Sequence, residues 1–139
     1  MNDRRQATRL VLVSLIFILI GEGFLLRVLY TERPYFHPDE YISMFAAKIV
    51  AERGVPILPS GLWYDQEVIF SYLGALFIYL MGVSHLAVRW VSVLFGALSI
   101  PMAYVTTRRL LSSPFAGVTA AALLAVAPVA VLWGSRARR

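Results

Sequence analysis

The residues best suited to chemistry are two adjacent carboxylates, Asp39 and Glu40, within the segment Phe36-His37-Pro38-Asp39-Glu40-Tyr41. They follow an apolar stretch that is long enough to cross a bilayer. A carboxylate at the boundary between water and lipid can accept a proton from a hydroxyl, or it can hold a divalent cation through its oxygens. The alternative is that both acids only begin a helix, where they interact favourably with its macrodipole.

The composition predicts an all-α integral membrane protein. Of the 139 residues, 59% are hydrophobic and 15% are charged, whereas a soluble domain has about 45–50% apolar and about 25% charged residues. The apolar runs are continuous and do not alternate with polar residues, which favours helices over a barrel. The chain contains no cysteine, which excludes disulfides, thiolate catalysis and zinc–sulfur sites.

The apolar segments predict three membrane spans and leave a fourth open. Residues 10–29, 90–107 and 115–133 are the predicted spans, and residues 30–89 form a large first outer loop. The apolar stretch Val68–Val83 is marginal in length for a crossing. Three arginines precede the first span and place the N-terminus in the cytoplasm, and no cleavage site follows it, so we interpret it as a retained span.

Two topologies follow from the stretch Val68–Val83. If it lies in the outer leaflet, the chain has three spans, the Arg108-Arg109 turn is cytoplasmic and the segment Ser135–Arg139 is outside. If it crosses, the chain has four spans and these two basic segments exchange sides. The count of Lys and Arg mildly favours four spans, whereas the short basic turn between two strong spans favours three.

Within the outer loop, residues 39–53 predict a helix that starts after Pro38 and is capped by Gly54. Six of its residues form an apolar stripe, and four polar ones lie off it. This pattern predicts an amphipathic helix on the membrane surface. The stripe contains Tyr41, Ile42, Phe45, Ala46, Ile49 and Val50, and the residues off it are Glu40, Ser43, Lys48 and Glu52.

An ordered set of short motifs resembles a known family. The chain is similar to polyprenyl-phosphate-dependent membrane glycosyltransferases of the GT-C fold, which include protein O-mannosyltransferases and the lipid A aminoarabinose transferases. The similarity covers roughly residues 30–139, and no single motif in it is highly specific. The motifs are Pro38-Asp39-Glu40 with Ala46, Ala51-Glu52-Arg53-Gly54-Val55-Pro56, Arg89, Arg108-Arg109 and Ser135-Arg136-Ala137-Arg138.

The resemblance implies transfer of a sugar from a polyprenyl-phosphate donor to an acceptor at the extracytoplasmic face of the cell membrane. Asp39 corresponds to the loop acid of the family, as a base or as the contact of a divalent cation, with Glu40 assisting. His37 and Tyr41 are candidates for substrate binding. If the C-terminus is outside, Arg136 and Arg138 can bind the carrier phosphate through bidentate hydrogen bonds.

Two departures from the family bear on this interpretation. Gln66-Glu67-Val68 stands where the aminoarabinose transferases tend to carry a Lys-Pro pair, so the phosphate contact of that lysine is missing. Family members also run to several hundred residues, so this chain is expected to be the N-terminal portion of a transferase. The alternative is a small non-catalytic subunit within a larger membrane complex. In both cases Arg89 and Trp90 are expected to anchor a span at the interface.

Overall fold

The computed structural model describes residues 2–32 and 38–136. Within these ranges the chain is helical, which confirms the all-α prediction. Two of the helices, α1 and α4, include stretches that are long and apolar enough to cross a membrane, Gln6–Thr31 and His85–Leu110. The helices are α1 (Asn2–Thr31), α2 (Pro38–Arg53), α3 (Val68–Met81), α4 (His85–Leu110), α5 (Pro114–Val126) and α6 (Pro128–Trp133).

The two long helices, α1 and α4, run antiparallel. At one end, Arg89 of α4 donates a hydrogen bond to the carbonyl of Thr31, the last residue of α1. At the other end, Leu12 of α1 and Arg108 of α4 line the same groove. Arg89 and Arg108 are therefore at opposite ends of the bundle, roughly 28 Å apart along the axis of α4.

Helix α5 packs against both long helices, α1 and α4, and small side chains form the contact. Ala121 and Ala125 are fully buried against Leu19 of α1 and Ile100 of α4. Gly117 approaches so closely that a Cβ atom there would lie 2.8 Å from the carbonyl oxygen of Tyr104. Small residues of this kind let helix backbones approach one another, which is typical of helix packing in membranes.

The segment predicted as one span over 115–133 is interrupted at Pro128. Helix α5 ends at Val126, and Ala127 has an extended backbone (φ −56°, ψ 122°) before α6 begins. Proline has no N–H, so the carbonyl of Leu124 loses the donor that a continuous helix would supply. The Arg27 side chain replaces it, since Nη2 donates to Leu124 O over 3.1 Å.

Arg27 also binds two further carbonyls and is 1% exposed. Its Nη1 donates to Gly23 O over 2.8 Å and to Ala125 O over 3.4 Å. Glycines make room for the guanidinium group, because a Cβ atom on Gly96 or Gly134 would lie 2.6 Å from Arg27 Nε. Arg27 thus joins α1 to the break between α5 and α6.

A second core joins α2 and α3 to the first turns of α4. Ala47, Ile78, Ala87 and Val88 form this core, and Gly74 of α3 lies so close to α2 that a Cβ atom there would be 2.9 Å from Ala47 Cβ. The packing holds α2 and α3 beside one end of α4, the end at which Arg89 lies.

The predicted bounds of the helix over 39–53 are confirmed within one residue. Part of its apolar stripe is buried in the protein, whereas Tyr41 and Ile42 are 56% and 41% exposed. Glu40 and Ser43, which lie off the stripe, are 0% and 1% exposed. The physical reason is a set of polar contacts that bury these two side chains against α4 and the start of α3.

Candidate active site

A buried ion pair fixes the start of α2. Arg89 Nε donates to Glu40 Oε1 over 3.0 Å, and Arg89 Nη2 donates to Glu40 Oε2 over 2.9 Å. The arrangement is the bidentate one in which charge-assisted hydrogen bonds are strongest. Because Arg89 also donates to the carbonyl of Thr31, this one guanidinium group holds together the end of α1 and the starts of α2 and α4.

The prediction that Arg89 and Trp90 form an interfacial anchor was wrong for Arg89. The Arg89 side chain is buried between helices, and the ring of Trp90 packs against Phe24 of α1 with centroids 5.9 Å apart. The sequence carried a signal for this. Arg89 lies at helical spacing from Val93 and Ala97, which are buried, so it continues the face of α4 that packs against protein.

A second polar contact joins α2 to α3. The Ser43 hydroxyl lies 2.8 Å from Glu67 Oε2 and 3.1 Å from the carbonyl oxygen of Asp39, so its one proton is shared between two acceptors. Glu67 immediately precedes α3 and has a left-handed backbone (φ 55°, ψ 35°), which is unusual for a residue with a side chain. The sequence analysis missed Ser43 and Glu67, which have no local signature.

These contacts position Asp39, which lies in the first turn of α2 beside Glu40. Its side chain is partly exposed, whereas both oxygens of Glu40 accept hydrogen bonds from Arg89. Arg89 therefore holds Glu40 in position. Asp39 is the acid of the pair whose side chain reaches the surface. We call Asp39, Glu40 and Glu67 together the acidic end of the bundle.

An exposed aromatic ring, Tyr41, and a half-buried one, Phe45, lie next to the acidic end. Tyr41 and Phe45, one turn apart on α2, stack with ring centroids 6.3 Å apart and planes 5° from parallel. His37, the other residue predicted to bind substrate from this segment, lies outside the described residues.

Arg136 is the one C-terminal arginine within the described residues, and it follows α6. Helix α6 runs back toward the acidic end, since Gly134 packs against the guanidinium group of Arg27, one turn before Thr31. Ser135 is buried and Arg136 is half-buried. The structure thus brings Arg136 to the end of the bundle that carries Asp39, and Arg138 lies outside the described residues.

Across residues 2–32 and 38–136, no cluster of three or more acidic or histidine side chains is arranged to hold a metal ion. At the acidic end, Arg89 binds Glu40 and Ser43 binds Glu67.

Comparison with family models identifies the chain. Residues 65–138 match the model described as dolichyl-phosphate-mannose-protein mannosyltransferase, and this range is a little over half of the chain. The chain belongs to this family. The mannosyltransferase family is of the GT-C glycosyltransferase type and is membrane-associated, which confirms the resemblance found in the sequence. No curated protein and no solved structure matches the chain.

The matched range contains only part of the candidate site of this mannosyltransferase-family chain. Arg89, Glu67 and Arg136 lie within the matched range, whereas Asp39 and Glu40 precede it. The Glu40–Arg89 ion pair and the Ser43–Glu67 hydrogen bond cross this boundary. The start of α2 is therefore attached, through buried polar contacts, to the part of the chain that identifies the family.

Proposed function

We propose that this chain takes part in transfer of a mannose-type sugar from a polyprenyl-phosphate donor to an acceptor hydroxyl at the extracytoplasmic face of the membrane. The family match supports glycosyl transfer of the mannosyltransferase type. The single observation that carries the assignment of the site is the buried Glu40–Arg89 pair. It fixes the first turn of α2, so that Asp39 is held at the end of the bundle to which Arg136 also returns.

The proposed reaction assigns a role to each part of the acidic end. The acceptor oxygen forms a bond to the anomeric carbon while the bond from that carbon to the phosphate oxygen breaks. The phosphate leaves with the electron pair, and the acceptor proton passes to Asp39 as general base. Arg136 and Arg138 stabilise the charge on the departing phosphate. In the other form of the proposal, Asp39 holds a divalent cation that neutralises this phosphate.

The pair of aromatic rings on α2, of which one is exposed, suits a lipid-linked donor. Tyr41 is 56% exposed beside Phe45, and aromatic side chains are favoured at the membrane–water interface. We propose that this pair contacts the polyprenyl chain near its phosphate, with His37 close to the acceptor. The contact would keep the anomeric carbon at the level of Asp39.

The antiparallel arrangement of α1 and α4 supports the orientation with a cytoplasmic N-terminus. It places Arg108 and Arg109 at the same end as the first turns of α1, which contain Arg4, Arg5 and Arg9, and the acidic end opposite. Basic residues near span ends favour the cytoplasm. The position of α3 beside α2, at one end of α4, supports the three-span alternative.

Asp39→Asn in the full chain is the direct test of function. With membranes that contain the protein and a labelled polyprenyl-phosphate mannose, we expect transfer to fall by roughly 10²–10⁴-fold, the usual contribution of a general base. Glu52→Gln, which removes an exposed carboxylate from the far end of the same helix, is the matched control and should leave transfer unchanged. Transfer by Asp39→Asn at the control rate would favour the non-catalytic subunit.

Sidedness can be tested separately, because the chain has no cysteine of its own. Ser60 and Ser112 are both exposed and lie at opposite ends of the bundle. In sealed cells, a membrane-impermeant maleimide should label Ser60→Cys and should label Ser112→Cys only after permeabilisation. The reverse pattern would place the acidic end in the cytoplasm and would contradict transfer at the outer face.

A further inference from the structure

Two cavities meet at the end of the bundle opposite the acidic end. A polar cavity of about 410 Å³ is lined by Val105, Arg108, Arg109 and Ser112. A narrower apolar groove of about 160 Å³ runs between α1 and α4. Arg108 lines both of them. The groove is lined by Leu12, Val13, Ile16, Phe17, Tyr104 and Arg108.

The Arg108 side chain is held at the mouth of this groove. Its Nη1 donates to the hydroxyl of Tyr104 over 3.3 Å, and its guanidinium carbon lies 5.8 Å from the centroid of the Tyr104 ring. Gly117 leaves the space for this contact, since a Cβ atom there would lie 2.9 Å from Tyr104 Cδ2 and 3.1 Å from Arg108 Cβ. Arg108 therefore points back along α4 and does not cap the carbonyls at its end.

Two basic side chains at this end, Arg108 and Arg109, are exposed. Within the described ranges neither Arg108 nor Arg109 has an ion-pair partner. The first turns of α1 bring Arg4, Arg5 and Arg9 to the same end, with Asp3 as their one acidic neighbour in the sequence. Two guanidinium groups above an apolar groove therefore face the solvent or the lipid with excess positive charge.

We infer that this end of the bundle is a binding site for an anionic phospholipid. The phosphate lies in the polar cavity against Arg108 and Arg109, within reach of the Ser112 hydroxyl, because guanidinium groups bind phosphate bidentately. One acyl chain follows the groove along Val13 and Phe17, which are 53% and 70% exposed. A free phosphate would use the polar cavity and leave the groove empty.

This lipid is distinct from the proposed sugar carrier. The carrier phosphate has to meet Asp39 at the opposite end of the bundle, where Arg89 lies roughly 28 Å from Arg108 along α4. The anionic phospholipid instead belongs to the leaflet that contacts the first turns of α1. The inference does not depend on the proposed function, because it uses none of the residues at the acidic end.

The test uses the full chain in nanodiscs made from phosphatidylcholine and phosphatidylglycerol. After extraction, native mass spectrometry counts the molecules of each lipid that stay bound to the protein. We expect wild type to retain phosphatidylglycerol selectively, and Arg108→Gln/Arg109→Gln to lower this selectivity by roughly tenfold or more, as for the loss of two basic residues at an anionic surface.

A control and a second variant keep the result interpretable. Lys48→Gln/Arg53→Gln removes the same amount of charge from α2 at the other end, and it should leave selectivity as in wild type. Val13→Trp fills the groove and keeps both arginines, and it should lower retention although the charge is unchanged. The inference is overturned if the Arg108/Arg109 variant retains the lipid like wild type, if the α2 control loses as much, or if added inorganic phosphate displaces the lipid at equal concentration.

Discussion

Two arginines, Arg27 and Arg89, are fully buried among the side chains that the structure describes, and their charges are balanced in different ways. Each side chain is 1% exposed. Arg89 has a carboxylate partner, because both oxygens of Glu40 accept its hydrogen bonds. Arg27 has no acidic partner in the part of the chain that the structure describes, and it donates to carbonyl oxygens of α1 and α5.

The difference shows two solutions to the same electrostatic problem. A buried charge is costly unless it is paired and hydrogen-bonded. At Arg89 an opposite charge from another helix balances it. At Arg27 the carbonyl dipoles at the C-terminal end of α5 balance it, and this is the end of a helix that favours a cation. One arginine therefore fixes the start of α2, and the other stabilises the helix break at Pro128.

The largest loss of stability should come from breaking the Glu40–Arg89 charge pair. Glu40→Gln leaves Arg89 buried without its counter-ion, and we expect a loss of about 3–5 kcal/mol in the free energy of unfolding. Denaturant or thermal unfolding in detergent measures it. Glu52→Gln on the same helix removes a surface acid and should change stability by less than about 1 kcal/mol.

Replacing Glu40 and Arg89 together tests whether an unpaired buried charge is the cause of the loss of stability. A double variant, Glu40→Leu/Arg89→Met, removes both charges, and it should be more stable than Glu40→Gln, because no unpaired charge stays buried. Loss of sugar transfer in this double variant, with stability retained, would show that the pair positions the first turn of α2. If the double variant were the least stable of all, the pair would not be the source of the effect.

Local sequence signals were sufficient for the bounds of α2 and insufficient for its contacts. Pro38 and Gly54 mark the start and end of α2, and both are read correctly from the sequence. The apolar stripe of α2 contains no sign that Glu40 is buried by Arg89, 49 positions along the chain. A partner at that separation has no signature in either helix alone.

The candidate site was predictable to a similar extent. The acidic pair was predicted from its residue types, and the resemblance alone separated the roles of Asp39 and Glu40. In the structure, the packing of α2 against α4 separates them by burying one carboxylate and leaving the other partly exposed. The break at Pro128 was missed because the composition of the segment 115–133 is uniformly apolar, and proline is tolerated in membrane helices when other groups bind the freed carbonyl.

A smaller loss of stability is expected when Arg27 is replaced. Arg27→Met removes the donors of Leu124 O and Ala125 O and removes the buried charge as well, so part of the cost is offset. We expect a loss of about 1–3 kcal/mol, the range for a buried acceptor left unsatisfied. The measurement compares the free energies of unfolding of Arg27→Met and Arg89→Met under the same conditions. Arg89→Met should be the less stable, since it leaves the Glu40 carboxyl group buried without its partner. The opposite order would mean that the charge pair does not set Arg89 apart from Arg27.

The smallest change in the free energy of unfolding tests whether Arg27 is needed because Pro128 leaves Leu124 O without a backbone donor. In Pro128→Ala the new N–H can donate to Leu124 O, so Arg27 is no longer the one donor available to that carbonyl. Arg27→Met should therefore cost about 1 kcal/mol less in the Pro128→Ala background than in wild type, as measured by a double-mutant cycle of unfolding free energies. Pro114→Ala, at the first position of α5 where proline leaves no helical carbonyl without a donor, is the matched control and should show no coupling to Arg27. Additive losses in both cycles would mean that Arg27 stabilises the bundle through packing in its glycine-lined space, and not through the helix break.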